Sequence, residues 1–187
     1  MPQPNTKPEA DAGAPAAGVA AAGVAAPCVA GLLIDAMNLA YWCGAPPSLR
    51  VPLSLLAYCV GAGIDARLYF DASAVHRLPA DERDLYGRLL REHAGRAGEV
   101  PSGRSADGVM LRDARRSGAC IISRDRYRDH RRRYRKLIDD PTRLLPGHVA
   151  ADLIHVAALD LHAPLAETAA AAWRQLGHGA TLADIAG

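Results

Sequence analysis

The sequence predicts an α/β domain with a mostly parallel central sheet and helices on both of its faces. Three observations carry that prediction. Short apolar runs alternate with longer amphipathic segments, the runs are continuous rather than alternating in polarity, and acidic residues stand where several of them end. A continuous apolar run is what a strand covered on both faces requires. Strands alternating with helices at this spacing build parallel sheets, and in such sheets ligands bind outside the carboxyl ends of the strands.

The first apolar run covers residues 29–34 and ends at Asp35. Residues 53–60 read as a helix stopped by Gly61 and Gly63, since glycine after a periodic segment is a common C-terminal signal. Residues 66–70 form a second strand ending in Asp71, and residues 81–93 a helix with Leu85, Leu89 and Leu90 at helical spacing. Pro79 before that helix and Gly95 after it mark its limits. A short third strand is expected at residues 99–101 and a helix at residues 106–116, with Val109, Met110 and Leu111 on or beside its buried stripe. Gly118 closes that helix, residues 119–122 form a buried strand, and residues 127–138 form a basic helix. Residues 144–162 fit a helix or a hairpin, although Pro146 and Gly147 oppose a long helix from the start. Residues 165–176 read as a C-terminal helix, with Gly177 and Gly179 ending it.

A chain of 187 residues with 50% hydrophobic content can bury one full core. Residues 1–28 are mostly Ala, Gly and Pro, with too few large apolar side chains to offset the entropy of ordering, and are expected to form a disordered leader. The expected organisation is therefore leader, domain at residues 29–162, and a C-terminal helix and tail at residues 163–187. The start lacks the basic n-region of a signal peptide. No apolar run approaches the roughly twenty residues that span a bilayer, so no membrane partner is expected and a cytoplasmic protein is the default. Cys28, Cys43, Cys59 and Cys120 are scattered without close pairing, which favours packing or inert thiols over a zinc knuckle. Oligomeric state stays open, a homo-oligomer included.

An ionised Asp offers only acceptors, and several converging on one point repel unless a cation joins them. Mg²⁺ or Mn²⁺, held by one or two carboxylates and water, suits that arrangement and leaves room for a phosphate. Asp35 ends one strand and Asp125 follows another, while Asp107 opens a helix where its charge also meets the helix dipole. Asp129, one helical turn beyond Asp125, would face the same point, and the amide of Asn38 could orient a water or a metal-bound phosphate. Each has an ordinary alternative. Asp107 could be a helix cap, Asp129 a surface partner for neighbouring arginines, and Asp35, Asn38 and Asp71 turn residues. Their joint placement at strand and helix ends is what points to a metal.

The segment Leu32-Leu33-Ile34-Asp35-Ala36-Met37-Asn38 resembles the opening strand and D-x-x-N motif of NYN domains in the PIN-like superfamily. The stretch Ser123-Arg124-Asp125-Arg126-Tyr127-Arg128-Asp129 is similar to the S-N-D-x-Y-R-D segment of the Regnase-type ribonuclease branch, and Asp107 falls where that branch has an acidic pair. The resemblance implies a three-layer α/β/α sandwich that binds Mg²⁺ or Mn²⁺ and cleaves single-stranded RNA internally by metal-assisted hydrolysis. It implies a metal cluster of Asp35, Asp107, Asp125 and Asp129, with Asn38 as polar neighbour in the catalytic set. The chain departs from the pattern at Ala106 and Gly108, which leave Asp107 without an acidic neighbour, and at Arg124, which stands where the branch has an amide.

Net charge is only +2, but it is unevenly distributed. From Arg124 to Lys136 almost every residue that is not apolar is Arg, Lys, His or Asp, a density suited to a polyanion or to a solvated helix face. Arg104, Arg124 and Arg128, nearest the acidic residues, are the candidate phosphate ligands, because Arg grips phosphate bidentately. Tyr41 and Trp42 follow the Asn38 turn and could stack on an unpaired base or pack over the sheet edge. The seven histidines include no H-x-x-x-H pair, and no phosphate-binding G-x-x-x-x-G-K-[ST] loop or G-x-S-x-G elbow is present. Two other readings fit the same residues. One is an RNA-binding module without metal chemistry; the other is a phosphate-ester hydrolase with Asp35 as nucleophile, disfavoured by Met37 where a second Asp would be expected.

Overall fold

Strand alternation sorts the apolar residues of this chain onto two faces of one sheet. The computed structural model describes residues 30–177, so the expected leader at residues 1–28 and the tail beyond residue 177 lie outside the described residues. The sheet is built from β1 (Leu32–Asp35), β2 (Ala66–Asp71), β3 (Ala97–Val100), β4 (Cys120–Ile122) and β5 (Leu144–Leu145), in the spatial order β3-β2-β1-β4-β5. All four pairings are parallel; Ile34 of the central strand stands opposite Leu68 on one side and Ile122 on the other. Leu32, Ile34, Leu68, Phe70, Cys120 and Ile122 point into one core. Leu33, Tyr69 and Ile121, each displaced by one residue, belong to the other, as the two-residue period of a strand requires.

Helices cover both faces, giving the expected α/β/α sandwich. On the first face lie α1 (Ala36–Ala40), α2 (Arg50–Gly61), α3 (Ala74–Arg77) and α4 (Arg83–Glu92); on the second lie α5 (Ala106–Ser117) and α6 (Arg131–Ile138). The start of α2 is anchored by Glu82, whose carboxylate accepts from the Ser48 hydroxyl and the Leu49 N–H, both at 2.6 Å. A carboxylate there meets the unsatisfied N–H groups of the helix start. Leu53, Leu55 and Leu56 of α2 are fully buried, and each such side chain contributes about 1.5–3 kcal/mol of burial energy.

Residues 144–162, left open between helix and hairpin, are extended. Leu144–Leu145 completes the parallel sheet, and an antiparallel sheet follows: β6 (His148–Ala150), β7 (Leu153–Val156) and β8 (Leu161–Pro164). Ala151 and Asp152 between β6 and β7 both have positive φ, 48° and 57°, the backbone of a two-residue turn whose twist matches its strands. The division expected at residue 163 falls inside β8. The last helix, α7 (Ala169–Gly177), places Ala169, Ala172, Trp173 and Leu176 in the first core against α2.

The helix expected over residues 127–138 begins later. Tyr127 is left-handed (φ 44°) and its N–H is taken by Asp125 Oδ1 at 2.8 Å, which closes a local turn instead of a helix. A 3₁₀ turn at Arg128–His130 precedes α6. Among the described residues, no helix is long and apolar enough to cross a membrane.

Candidate active site

Parallel strands all point the same way, so the ends of β1, β2 and β4 deliver their following residues to one edge of the sheet. Asp35 leaves β1 as the cap of α1, its Oδ1 accepting from the Asn38 N–H at 3.2 Å. Its Oδ2 accepts from the Ser123 hydroxyl and the Tyr127 hydroxyl, both at 2.9 Å. Asp71 leaves β2; its Oδ1 accepts from the Ser73 N–H at 2.8 Å and also from the Ser73 hydroxyl, and its Oδ2 lies 3.6 Å from Arg77. Asp107 enters from α5, whose start is capped by Ser105 accepting from the Gly108 N–H at 3.2 Å. Asp125 sits in the turn after β4, where its N–H donates to Ser123 Oγ at 3.0 Å.

These four carboxylates line one cleft of about 430 Å³, a volume in the range of small-ligand sites. They feel one another. Burial pushes the Asp35 carboxyl above the usual carboxylate range; hydrogen bonds from Ser123, Tyr127 and Asn38 oppose the shift, and the Asp125 charge adds to it. Asp107 is pushed up to about 6, first by burial and then by the charges of Asp35 and Asp125, with His130 opposing and Asp71 adding. The buried Tyr127 hydroxyl is held far above its ordinary value by burial and by Asp35, so it remains a neutral O–H donor to that carboxylate. Like charges gathered in a partly dry cleft are what a divalent cation relieves, and the donor set, oxygen throughout, suits a hard ion such as Mg²⁺ or Mn²⁺. As placed, however, no three His, Cys, Asp or Glu side chains among the described residues close around a single point as a ligand set.

Three of the four expected metal ligands, Asp35, Asp107 and Asp125, thus line one cleft without closing on one point. Asp129 does not join them in that cleft. It lies on the 3₁₀ turn and lines the adjoining recess with Asp107, Asp125, Arg128 and His130. The expected helical spacing from Asp125 to Asp129 is lost because the left-handed Tyr127 lies between them. Asp71, which turn chemistry alone would explain, serves its turn and also faces the cleft.

The residues expected to hold substrate divide in the same way. Tyr41 lines the cleft and is 43% exposed, whereas Trp42 is 8% exposed and is not available for stacking on a base. The Trp42 indole N–H donates to Asn38 Oδ1 at 3.0 Å, and the Arg124 guanidinium lies over its ring at 4.5 Å. Arg124 is correspondingly committed: its Nε donates to the Gly147 carbonyl at 2.7 Å and its N–H to Asn38 Oδ1 at 2.9 Å. Asn38 Oδ1 thus joins α1 to the turn after β4, and only the amide NH₂ of Asn38 remains to donate into the cleft it lines. Arg104 lines the acidic cleft and Arg128 the adjoining recess, both exposed.

Sequence reasoning missed Tyr127 and Ser123 as donors to Asp35, and Arg77, Ser105 and His130 at the rim. Tyr127 was hidden within an expected helix. The S-R-D-R-Y spacing, placing a hydroxyl on either side of Asp125, was the available signal.

The fold is an α/β/α sandwich around an all-parallel five-stranded sheet, with carboxylates gathered at one edge. Solved structures that match it include two of nuclear proteinaceous (protein-only) RNase P 2, PRORP2, from Arabidopsis thaliana, each with a TM-score of 0.51 and 12% sequence identity. The matches cover 72% and 69% of this chain but 30% of PRORP2, so the chain corresponds in fold to less than a third of that protein. No family model matches the chain, and no curated protein matches it in sequence.

Proposed function

We propose that this chain is an endoribonuclease that hydrolyses phosphodiester bonds in single-stranded RNA with Mg²⁺ or Mn²⁺ in its acidic cleft. The observation that carries the reading is the gathering of Asp35, Asp107 and Asp125 on one cleft, where burial first and the charges of Asp35 and Asp125 second push Asp107 up to about 6. Asp35, Asp107 and Asp125 would hold the ion together with water, since Mg²⁺ commonly uses only one or two carboxylates. Bound there, it would supply positive charge to a scissile phosphate and acidify a water.

The chain's own groups do the rest. Ser123 and Tyr127 fix the Asp35 carboxylate from one side, so its orientation does not depend on the substrate. Arg104 and Arg128, set beside the carboxylates, offer forked donors to flanking phosphates and offset the repulsion between a polyanion and an acidic edge. Tyr41 offers an exposed ring to an unpaired base, which a duplex would keep stacked. The fold likeness to part of a proteinaceous RNase P supports RNA as the polymer. The resemblance of the Asp35 segment to NYN domains, and of the Asp125 segment to the Regnase-type branch, supports single-strand, internal cleavage.

One observation favours a second reading. The lack of a closed three-ligand set, with Ala106 beside Asp107, fits a module that binds RNA without cutting it. The test is cleavage of a labelled single-stranded RNA by wild type and Asp35→Asn, with Mn²⁺ or with chelator. The nuclease reading expects cleavage by wild type with Mn²⁺ alone. Activity that survives either the substitution or chelation refutes it, and salt-sensitive RNA retention without cleavage by either protein selects the binding module.

A further inference from the structure

The antiparallel sheet aligns three histidines that the sequence keeps apart. His148 is the register partner of His155, and His155 of His162. Side chains of directly paired residues on neighbouring strands share a face. The His148 and His155 rings stack, with centroids 5.0 Å apart and planes at 15°; the His155 and His162 rings meet edge to face. Nδ1 of His155 lies 2.9 Å from Nδ1 of His162. At the far ends, His155 Nε2 lies 3.3 Å from the Ala150 carbonyl and His162 Nε2 lies 3.3 Å from Asp160 Oδ1.

Ala150 O and Asp160 Oδ1 can only accept, so filling all three contacts as hydrogen bonds takes three protons on two imidazoles. Two neutral rings carry two. The count closes with a third proton, one ring then being an imidazolium, or with a cation bound to both Nδ1 atoms, for which their separation must open by a few tenths of an ångström; in the second case each ring keeps one N–H, on Nε2, and donates it outward. A backbone carbonyl on one ring and a carboxylate on the other is the usual outer arrangement of metal-bound histidines. Imidazole selects borderline ions over the hard ones that the acidic cleft suits.

We infer that His155 and His162 form a site for a borderline transition-metal cation of the Zn²⁺ class, bound through their Nδ1 atoms and oriented by Ala150 and Asp160. Only these two rings converge: the His148 ring is stacked on His155 and belongs to no three-residue ligand group among the described residues, so water would fill the rest of the shell. The site is separate from the acidic cleft. It braces the sheet next to Gly147, whose carbonyl holds Arg124.

Calorimetric titration of Zn²⁺ into the full chain tests this, in a Cys43→Ser background to remove the exposed thiol and with Asp35→Asn as a control for the cleft. The tightest Zn²⁺ site is expected to be unchanged by Asp35→Asn, which affects only weaker binding in the cleft. It should weaken tenfold or more in His155→Gln and His162→Gln, and roughly tenfold in Asp160→Asn, the usual effect of losing an orienting partner. Imidazole ¹⁵N spectra of the wild-type chain give a readout that needs no variant: Zn²⁺ should move the Nδ1 signals of two histidines while their Nε2 atoms keep their protons. Absence of saturable binding, binding that survives both histidine substitutions, or coordination through Nε2 would overturn the assignment. None of these outcomes bears on the nuclease reading.

Discussion

The two ends of the central strand obey opposite rules. Along β1, Leu32 and Ile34 are sealed between α2 and the neighbouring strands, and burying these apolar side chains lowers the free energy of the fold. One residue further, at Asp35, the chain gathers carboxylates that repel each other and that the fold alone does not neutralise. The core end is built for stability and the cleft end against it. On the proposed reading, a cation entering that cleft would relieve the repulsion and bring a phosphate with it.

The largest effect separates the two ends by activity. Asp35→Asn should lower single-stranded RNA cleavage by about a thousandfold, since metal-assisted charge stabilisation is worth several kcal/mol and each tenfold costs about 1.4. Its circular dichroism should stay that of the wild type. Leu56→Ala, at the core end, should do the reverse: chemical denaturation should show a loss of about 2–5 kcal/mol, while cleavage per folded molecule stays unchanged. Tyr41→Ala sharpens the distinction within the cleft. Losing a base stack worth ~1–3 kcal/mol should weaken RNA binding by roughly five- to a hundredfold, without lowering the unfolding temperature, because the Tyr41 ring is exposed.

The smallest effect is on the pH dependence of stability. The Asp107 carboxyl sits near 6 in the folded chain against 3.8 as its ordinary value, so between those two values the folded state binds its proton more tightly than the unfolded state. Stability from this group is therefore present below about pH 4 and is lost as pH rises to about 6. Asp107→Asn should remove that loss, making the ion-free protein more stable than wild type at pH 7.5 and no more stable at pH 4, as thermal unfolding would show.

The same contrast explains what the sequence made legible. Continuous apolar runs located β1 and β4, because a strand buried on both faces has little choice of composition, and a run broken only by the exposed Arg67 located β2; with them came Asp35, Asp71 and Asp125 at or just beyond the strand ends. Trp42 and Tyr41 are chemically alike and adjacent. Only the tertiary contacts of Trp42 with Asn38, Arg124 and Gly147 decide which ring is buried. Tyr127 has a helical neighbourhood in sequence, yet a single side-chain bond from Asp125 diverts it. The strands after Leu145 are short and carry histidines that are exposed or half-buried, so their pattern is a weak strand signal. The alignment of His148, His155 and His162 depends on a register that spacing alone does not give.

The central claim, that the cleft is unstable until a hard cation enters it, is tested most directly by thermal unfolding at pH 7.5 as Mg²⁺ is added, an ion that the histidine ladder does not favour. Wild type is predicted to gain unfolding temperature saturably, whereas Asp107→Asn should begin higher and respond weakly or not at all. Equal starting temperatures and no response of the wild type to Mg²⁺ would contradict the account.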